Sequence, residues 1–458
     1  MIHGFSTKVI RWDITTKCNL ACQHCYIPSS EVPDLDTSAI IRILKIALAT
    51  GLHELNLSGR EPTMRNDLRQ IIDWCQSRNV RVNMVTNGTL LNKRILLPIV
   101  AGLSIISYSL DGPSATVHDR IRGHGNFERT VKNIKDCINY ARKRNPHIHI
   151  GVSSTLTKYN YLEMGTMVEL GKSLGIDFLA INPVSLCGSA QSAKATLKLQ
   201  NDEISHAFNE ICGVYTKLRP SLRLHLGVLP KEAQFLNLRY NMDLPVIQNG
   251  CTAGTAIYIT PDGKAYPCYM LPPIAQAMPS LRRYLHAWSV LTEPSSHAVQ
   301  RFGPFLDFIE SHSQKYDPNC VNCEDKGICK PCPLLAEFDK ESLRRCTHAN
   351  GQIASLMPHL HDSLIPIFRE NVICHIEDNK AITYLKRKDY ESKKIFELSP
   401  MAKYIIEVIG DNRSIHEIRK IMAKKYGQLS LRSIQEQLNI VLSHLWKDRI
   451  LDFCENDF

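Results

Sequence analysis

Residues 17–26 read KCNLACQHCY and place Cys18, Cys22 and Cys25 in a CxxxCxxC spacing. Zinc sites and disulfide frameworks use cysteines in pairs. A [4Fe–4S] cube has four irons, and each normally takes one thiolate. Three protein cysteines therefore leave one iron open. The triplet directly follows an apolar run, 9–15, that reads as a strand. What lies beyond that strand decides the fold.

Strand-like runs recur at 52–57, 80–86, 103–110, 148–156 and 178–184, with helical patterns between them. One helical pattern spans 38–50, with Ile40, Ile43, Leu44, Ala47 and Leu48 on one face and Gly51 as its stop. Another starts at Asn66 and turns Leu68, Ile71, Ile72 and Cys75 inward, and a third carries Val131, Ile134, Cys137 and Ile138. Six strand–helix units in a row predict a parallel sheet with outer helices. Such a sheet puts its chemistry at the C-terminal ends of its strands, where the cysteine triplet falls.

The chain has 458 residues, 44% hydrophobic and 22% charged, which predicts a globular protein of two to four domains. Its net charge of +10 suits an acidic partner such as a peptide, a nucleic acid or an anionic cofactor. No secretory signal is visible, because Lys8, Arg11 and Asp13 interrupt the N-terminus. The most apolar run, 95–110, contains Pro98 and Gly102 and reads as a helix end followed by a strand rather than a membrane span. The expectation is a cytoplasmic protein without membrane contact. Sixteen cysteines are then metal ligands and core residues rather than disulfides.

Residues 185–250 are less periodic and read as a bridge, and 251–350 are rich in Cys, Pro and Gly, a composition that calls for a metal staple. From about 365 regular structure returns. Hairpin strands are expected at 372–375 and 381–385 and a third at 394–398. Three helices follow, the first starting at Ser399-Pro400 and the second capped by Ser414 and Glu417, with Ile434, Leu438, Val441 and Leu445 lining the third. This is a winged-helix pattern. Its nearly balanced charge argues against a DNA-reading helix, so nucleic acid is an unlikely partner.

CxxxCxxC after the first strand of a β/α barrel resembles the radical S-adenosylmethionine enzymes. The resemblance implies that Cys18, Cys22 and Cys25 bind a catalytic [4Fe–4S] cluster whose open iron chelates S-adenosylmethionine. It also implies cofactor-binding roles elsewhere. Leu57–Pro62, LSGREP, stands where the family has a Gly-Gly-Glu-Pro motif, so Gly59 and Glu61 would face the cofactor's amino group, with Arg60 replacing the second Gly. Ser109 of SLDG would bind its carboxylate or ribose, Arg122 of HDRIRG would pair with the carboxylate, and His24 would lie against adenine. TNG at 86–88 ends the third strand, as it often does in this group.

Cys251, Cys268, Cys320, Cys323, Cys329, Cys332 and Cys346 resemble the seven-cysteine SPASM extension of radical enzymes that modify peptides, with two residues between Cys329 and Cys332 where three are usual. By that family's wiring, Cys251, Cys268 and Cys332 would hold one auxiliary cluster, with Cys187 or Cys212 as a possible fourth ligand. Cys320, Cys323, Cys329 and Cys346 would hold the other. Read without the resemblance, the CxxC pairs at Cys320/Cys323 and Cys329/Cys332 suit zinc as well. The C-terminal segment resembles the pyrroloquinoline-quinone-chaperone type of peptide-docking domain, which implies a leader peptide added beside the third strand.

The expected fold is α/β. A partial (β/α)6 barrel (1–200) and a bridge (201–250) precede a small cysteine-rich iron–sulfur domain (251–354) and a winged-helix-like α+β domain (365–458). The expected function is a radical oxidoreductase that matures a ribosomally made precursor peptide, most simply by cross-linking it. It would use the 5′-deoxyadenosyl radical and an electron donor such as flavodoxin or ferredoxin. Epimerisation, with a thiol such as Cys187 as hydrogen donor, and chemistry on a tetrapyrrole or protein side chain are the enzyme alternatives. A zinc-stabilised DNA-binding regulator is the alternative outside enzymology.

Overall fold

The computed structural model describes residues 8–27, 32–91, 99–244, 253–312, 332–334, 344–356, 360, 364–369, 372–377, 380–387, 390–409 and 413–454. Cys251, Cys320, Cys323 and Cys329 lie outside them. The chain forms two compact units, one of residues 1–236 with 242–348, the other of 237–241 with 349–458.

The first unit is built on one sheet of ten strands. β1 (Val9–Asp13), β2 (Glu54–Ser58), β3 (Arg81–Thr86), β4 (Ile105–Ser109), β5 (His149–Leu156), β6 (Phe178–Pro183) and β7 (Arg223–Leu226) lie side by side in chain order, all parallel. Beyond β1 come β8 (Ile257–Ile259), parallel to it, then β9 (Lys264–Tyr266), antiparallel to β8, and β10 (Trp288–Ser289), antiparallel to β9. This is an α/β fold with a largely parallel sheet. It extends past the six strands read from the sequence. Residues 201–250, read as a bridge, carry the helix Asn201–Leu218, β7 and the helix Pro230–Tyr240. The cysteine-rich stretch that follows belongs to the same unit as the parallel sheet.

The sequence pattern explains the layers. The helix Thr37–Ala49 starts at Asp36, whose side chain accepts the backbone N–H of Ala39, and buries Ile40, Ile43, Leu44 and Ala47. On β2, Leu55 and Leu57 are fully buried while Glu54, Asn56 and Ser58 are half-buried. The same alternation on β3 buries Val82 and Met84 and leaves Asn83 half-buried and Val85 exposed. One face of the sheet is thus an apolar core under helices, and the other is polar and accessible.

In the second unit, β11 (Ile365–Phe368) pairs antiparallel with β15 (Leu451–Cys454), and β12 (Val372–Glu377), β13 (Lys380–Arg387) and β14 (Tyr390–Glu397) form an antiparallel meander. The helices Pro400–Ile409, Ile415–Lys425 and Leu431–Lys447 pack Ile405, Ile409, Ile418, Met422, Leu438 and Leu442 into one core. The capping box of Ser414 and Glu417 is formed. No helix among the described residues is long and apolar enough to cross a membrane.

Candidate active site

A cavity of about 580 Å³ opens at the C-terminal ends of the parallel strands. Cys18, Cys22 and Cys25 line it together with His24, Gly59, Ser109 and Arg122. Its far wall is Ser153, Ser154 and Thr155 of β5, Asn182 and Pro183 of β6, and Tyr269 and Met270 from the cysteine-rich stretch. Among the described residues, no Asp, Glu or Lys lines it.

The loop that carries the triplet is tied down at several points. After β1, Thr15 and Thr16 bond the Asp34 carboxylate, Thr15 Oγ1 at 2.5 Å and the Thr16 backbone N–H at 2.7 Å. Arg65 donates to the Ile14 and Leu35 carbonyls at 3.0 Å each and to Asp67. Gly59 has φ +90°, and a Cβ there would lie 2.6 Å from Asp13 Cα, so the turn after β2 can press against the end of β1 only as glycine. The turn after β6 presses on the triplet loop in the same way. Gly188 has φ +61°, a Cβ on it would lie 2.2 Å from the Tyr26 carbonyl oxygen, and the Ala190 N–H donates to the Cys25 carbonyl at 3.3 Å.

Glu61 and Asp111 are buried carboxylates beside the cavity. Glu61 accepts four hydrogen bonds: from the Thr63 N–H at 3.1 Å and hydroxyl at 2.6 Å, from the Thr86 hydroxyl at 2.8 Å, and from the Asn87 N–H at 2.7 Å. It is completely buried and is not among the lining residues. Asp111, equally buried, binds Arg122 Nε at 2.5 Å. Arg122 Nη2 lies 3.2 Å from His24 Nε2, and Nη1 lies 3.9 Å from Cys22 Sγ. Burial alone would raise the Asp111 carboxyl, but the Arg122 guanidinium and His24 hold it below the usual carboxylate range. Burial pushes His24 down to about 4 despite Asp111. The ring is therefore neutral at neutral pH. Its Nε2 lies between Arg122 Nη2 and, at 3.3 Å, Asp111 Oδ2, while Nδ1 is a buried atom without a hydrogen-bond partner.

Burial pushes the Cys22 thiol up to about 11 against the pull of Arg122, and raises Cys18 as well. No three His, Cys, Asp or Glu side chains among the described residues stand close enough to hold a metal ion as they are. The donor set still suits an iron–sulfur cluster. Three half-buried thiols face one cavity, a guanidinium stands beside one of them, and no carboxylate competes in the wall. Cys18, Cys22 and Cys25 would hold the cluster.

The other candidate ligands are only partly described. Cys268 and Cys332 are half-buried at the edge of a packed group that contains Cys187, Met270, Leu271 and Phe305. Burial pushes the Cys187 thiol up to about 12, and nearby Cys25 adds to the shift. Cys212 lies on the buried face of the helix Asn201–Leu218. Cys346 is half-buried in the helix Arg344–Leu356, next to Arg345, which is clamped to Glu232 at 2.8 and 2.5 Å.

Sequence reasoning missed Asp13, Asp111 and His118. Asp13 ends β1 and accepts from Tyr258 Oη at 2.6 Å and Ser58 Oγ at 2.9 Å. Asp111 stood inside the quoted SLDG, and its spacing of seven and eleven residues to His118 and Arg122 was the available signal.

Residues 12–170 match the model of the Radical SAM superfamily. The chain is 29% identical to an AdoMet-dependent heme synthase of Methanosarcina barkeri, over 72% of this chain and 92% of that one. It is 27% identical to the PqqA peptide cyclase of Methylocella silvestris, over 69% of this chain and 79% of that one. Its fold is similar to Streptococcus suis SuiB bound to precursor peptide SuiA, with TM-score 0.57, 16% identity and 72% of each chain covered. The fold is the radical SAM α/β fold, residues 12–170 form a Radical SAM domain, and the protein is an enzyme; that domain implies S-adenosylmethionine and an iron–sulfur cluster as cofactors.

Proposed function

We propose that the enzyme matures a ribosomally made precursor peptide by forming an intramolecular cross-link. The cluster, when bound, supplies the electron that cleaves S-adenosylmethionine to the 5′-deoxyadenosyl radical, which takes a hydrogen atom from the substrate. The chain's own residues hold the cofactor's polar end at Arg122 and Ser109 and shelter the cavity from water. Closing the cross-link then releases one more electron and a proton. Cys268, Cys332 and Cys346, with Cys251, Cys320, Cys323 and Cys329, would bind two auxiliary clusters, one of which accepts that electron. The second unit would dock the leader, raising the effective concentration of the core peptide. A flavodoxin- or ferredoxin-type donor would reduce the first cluster.

The observation that carries the peptide reading is the cavity wall. Ser109, Ser153, Thr155, Asn182, Ser185 and Ser189 supply hydroxyl and amide groups that suit a peptide. The cations in the wall are Arg60 and Arg122, beside a neutral His24, few for a polycarboxylate. Similarity to the PqqA peptide cyclase reaches well beyond the barrel and supports the same reading. Similarity to the heme synthase favours tetrapyrrole chemistry as a second reading.

The test is anaerobic reconstitution with a strong reductant and S-adenosylmethionine, scoring 5′-deoxyadenosine and the mass of candidate peptides. Formation of 5′-deoxyadenosine, its loss in Cys22→Ala, and a peptide lighter by about two mass units support the proposal. Turnover of an iron tetrapyrrole without a change in any peptide decides for the second reading. A peptide of unchanged mass and altered chirality decides for epimerisation. About twelve irons per chain with matching sulfide support three clusters.

A further inference from the structure

We infer that Asp111 is a positioning residue, whose carboxylate fixes the guanidinium of Arg122 and, together with it, the ring of His24 against the cysteine loop. The inference rests on reading the cavity as the S-adenosylmethionine site.

Asp111 is anchored on every side. Its Oδ1 accepts the Thr155 N–H at 2.7 Å, its own N–H donates to His118 Nδ1 at 3.1 Å, and its carbonyl accepts from Asn160 Nδ2 at 2.7 Å. Its Oδ2 meets the Nε of Arg122 and also lies 3.3 Å from His24 Nε2. His118 and Arg122 are four residues apart on the helix Ala115–Arg122, so one helix face meets Asp111 at both positions. The carboxylate is thus immobile before it touches Arg122.

A buried carboxylate is costly unless it is paired, and a neutral acceptor would satisfy the Thr155 N–H equally well. Charge at this position is explained by what it does to Arg122. With Nε taken by Asp111, the planar guanidinium has one orientation left, which sends Nη1 toward Cys22 and Nη2 to His24. A long side chain without that anchor samples several rotamers and loses that freedom only when a ligand binds. Glu61, another buried carboxylate at the site, hydrogen-bonds neutral donors and orients no cation in this way.

The test uses anaerobically reconstituted full-length enzyme and equilibrium dialysis of S-adenosylmethionine, with iron content and the cluster's EPR response to the cofactor as further readouts. Asp111→Asn keeps the side chain's shape but cannot present two acceptor oxygens. It should weaken cofactor binding about tenfold with iron content unchanged, and blunt the EPR change on adding cofactor. Arg122→Gln should do the same, and the double variant should bind about as well as the weaker single variant. Asp111→Asn binding within about twofold of the wild type, or losses that add in the double variant, overturn the inference. If Asp111→Asn does not fold, Arg122→Gln decides alone, since wild-type affinity there overturns the role given to the oriented guanidinium. A wild-type enzyme that binds no cofactor refutes the reading of the cavity instead.

Discussion

The β1–β2 wall of the cavity and the β4–β5 wall both bury carboxylates, and they use them differently. On the first wall Asp13 and Glu61 hydrogen-bond to neutral donors, namely Tyr258, Ser58, Thr63, Thr86 and the Asn87 backbone. On the second, Asp111 is bonded to a guanidinium that itself lines the cavity. Neutral donors wrapped around a carboxylate tie strands and turns together and fix shape. A cation held by a carboxylate presents an oriented charge to a ligand. Damage to the first wall should appear in stability, and damage to the second in binding.

The harshest way to break this comparison is Gly59→Ala. The added Cβ meets the Asp13 backbone at 2.6 Å, and φ +90° is unfavourable for any side chain. The substitution should cost roughly 3 kcal/mol in denaturant unfolding. A loss under about 1 kcal/mol would mean that the first wall is not close-packed.

Next is Glu61→Gln. One carboxylate oxygen becomes an N–H₂ group facing donors, so a buried hydrogen bond is lost and about 1–3 kcal/mol of stability with it, already in the protein without cofactor. Unchanged unfolding with impaired cofactor binding would return Glu61 to the direct contact with the cofactor's amino group that the family resemblance implies.

A smaller effect separates Asp13 from an ordinary surface carboxylate. Burial pushes its carboxyl up to about 6, with the Tyr258 and Ser58 hydrogen bonds and Arg60 opposing. Between its unfolded value near 4 and about 6, the folded state keeps a proton that the unfolded state has lost. Stability from this group is therefore full at low pH and falls as pH rises through that window, by at most about 1.4 kcal/mol per pH unit. Asp13→Asn should flatten that part of the stability profile. An unchanged slope would show that Asp13 is ionised across the range.

The sequence revealed what is local. Strand and helix periods around the triplet are short-range patterns, and so is the Ser414–Glu417 box, because each is set by residues within a few positions of one another. The pairing of β8 with β1 was hidden, since β8 has only three residues and its Tyr258 meets Asp13 across 245 positions. β11 and β15 pair across a shorter but still long-range separation, Ile365 with Cys454 and Phe368 with Leu451. At the site, the sequence displayed the thiols and Arg122, because those side chains stand in spaced motifs. It did not reveal that His24 and Thr155 converge on Asp111, since the three come from the connections after β1 and β4 and from strand β5, and only the sheet brings them together. The saturation of Glu61 was hidden for the same reason: its partners stand on two different strands' ends.

Ser414→Ala is the mildest test and the control for the others. Ser414 accepts the Glu417 N–H at 3.3 Å, while Glu417 receives the Ser414 N–H at 2.8 Å and hydroxyl at 3.0 Å. Removing the hydroxyl opens one half of that exchange and should cost about 1 kcal/mol. The loss belongs to the second unit, whose core of Ile415, Ile418 and Met422 sits on the helix that Ser414 caps. Cleavage of S-adenosylmethionine in the absence of peptide depends on neither. A variant that unfolds earlier in calorimetry yet forms 5′-deoxyadenosine at the wild-type rate separates stability from chemistry, as the contrast between the two walls requires. If this cap in the second unit instead slows the cofactor reaction, a loss of stability anywhere reaches the cavity, and the first-wall variants no longer report on that wall alone.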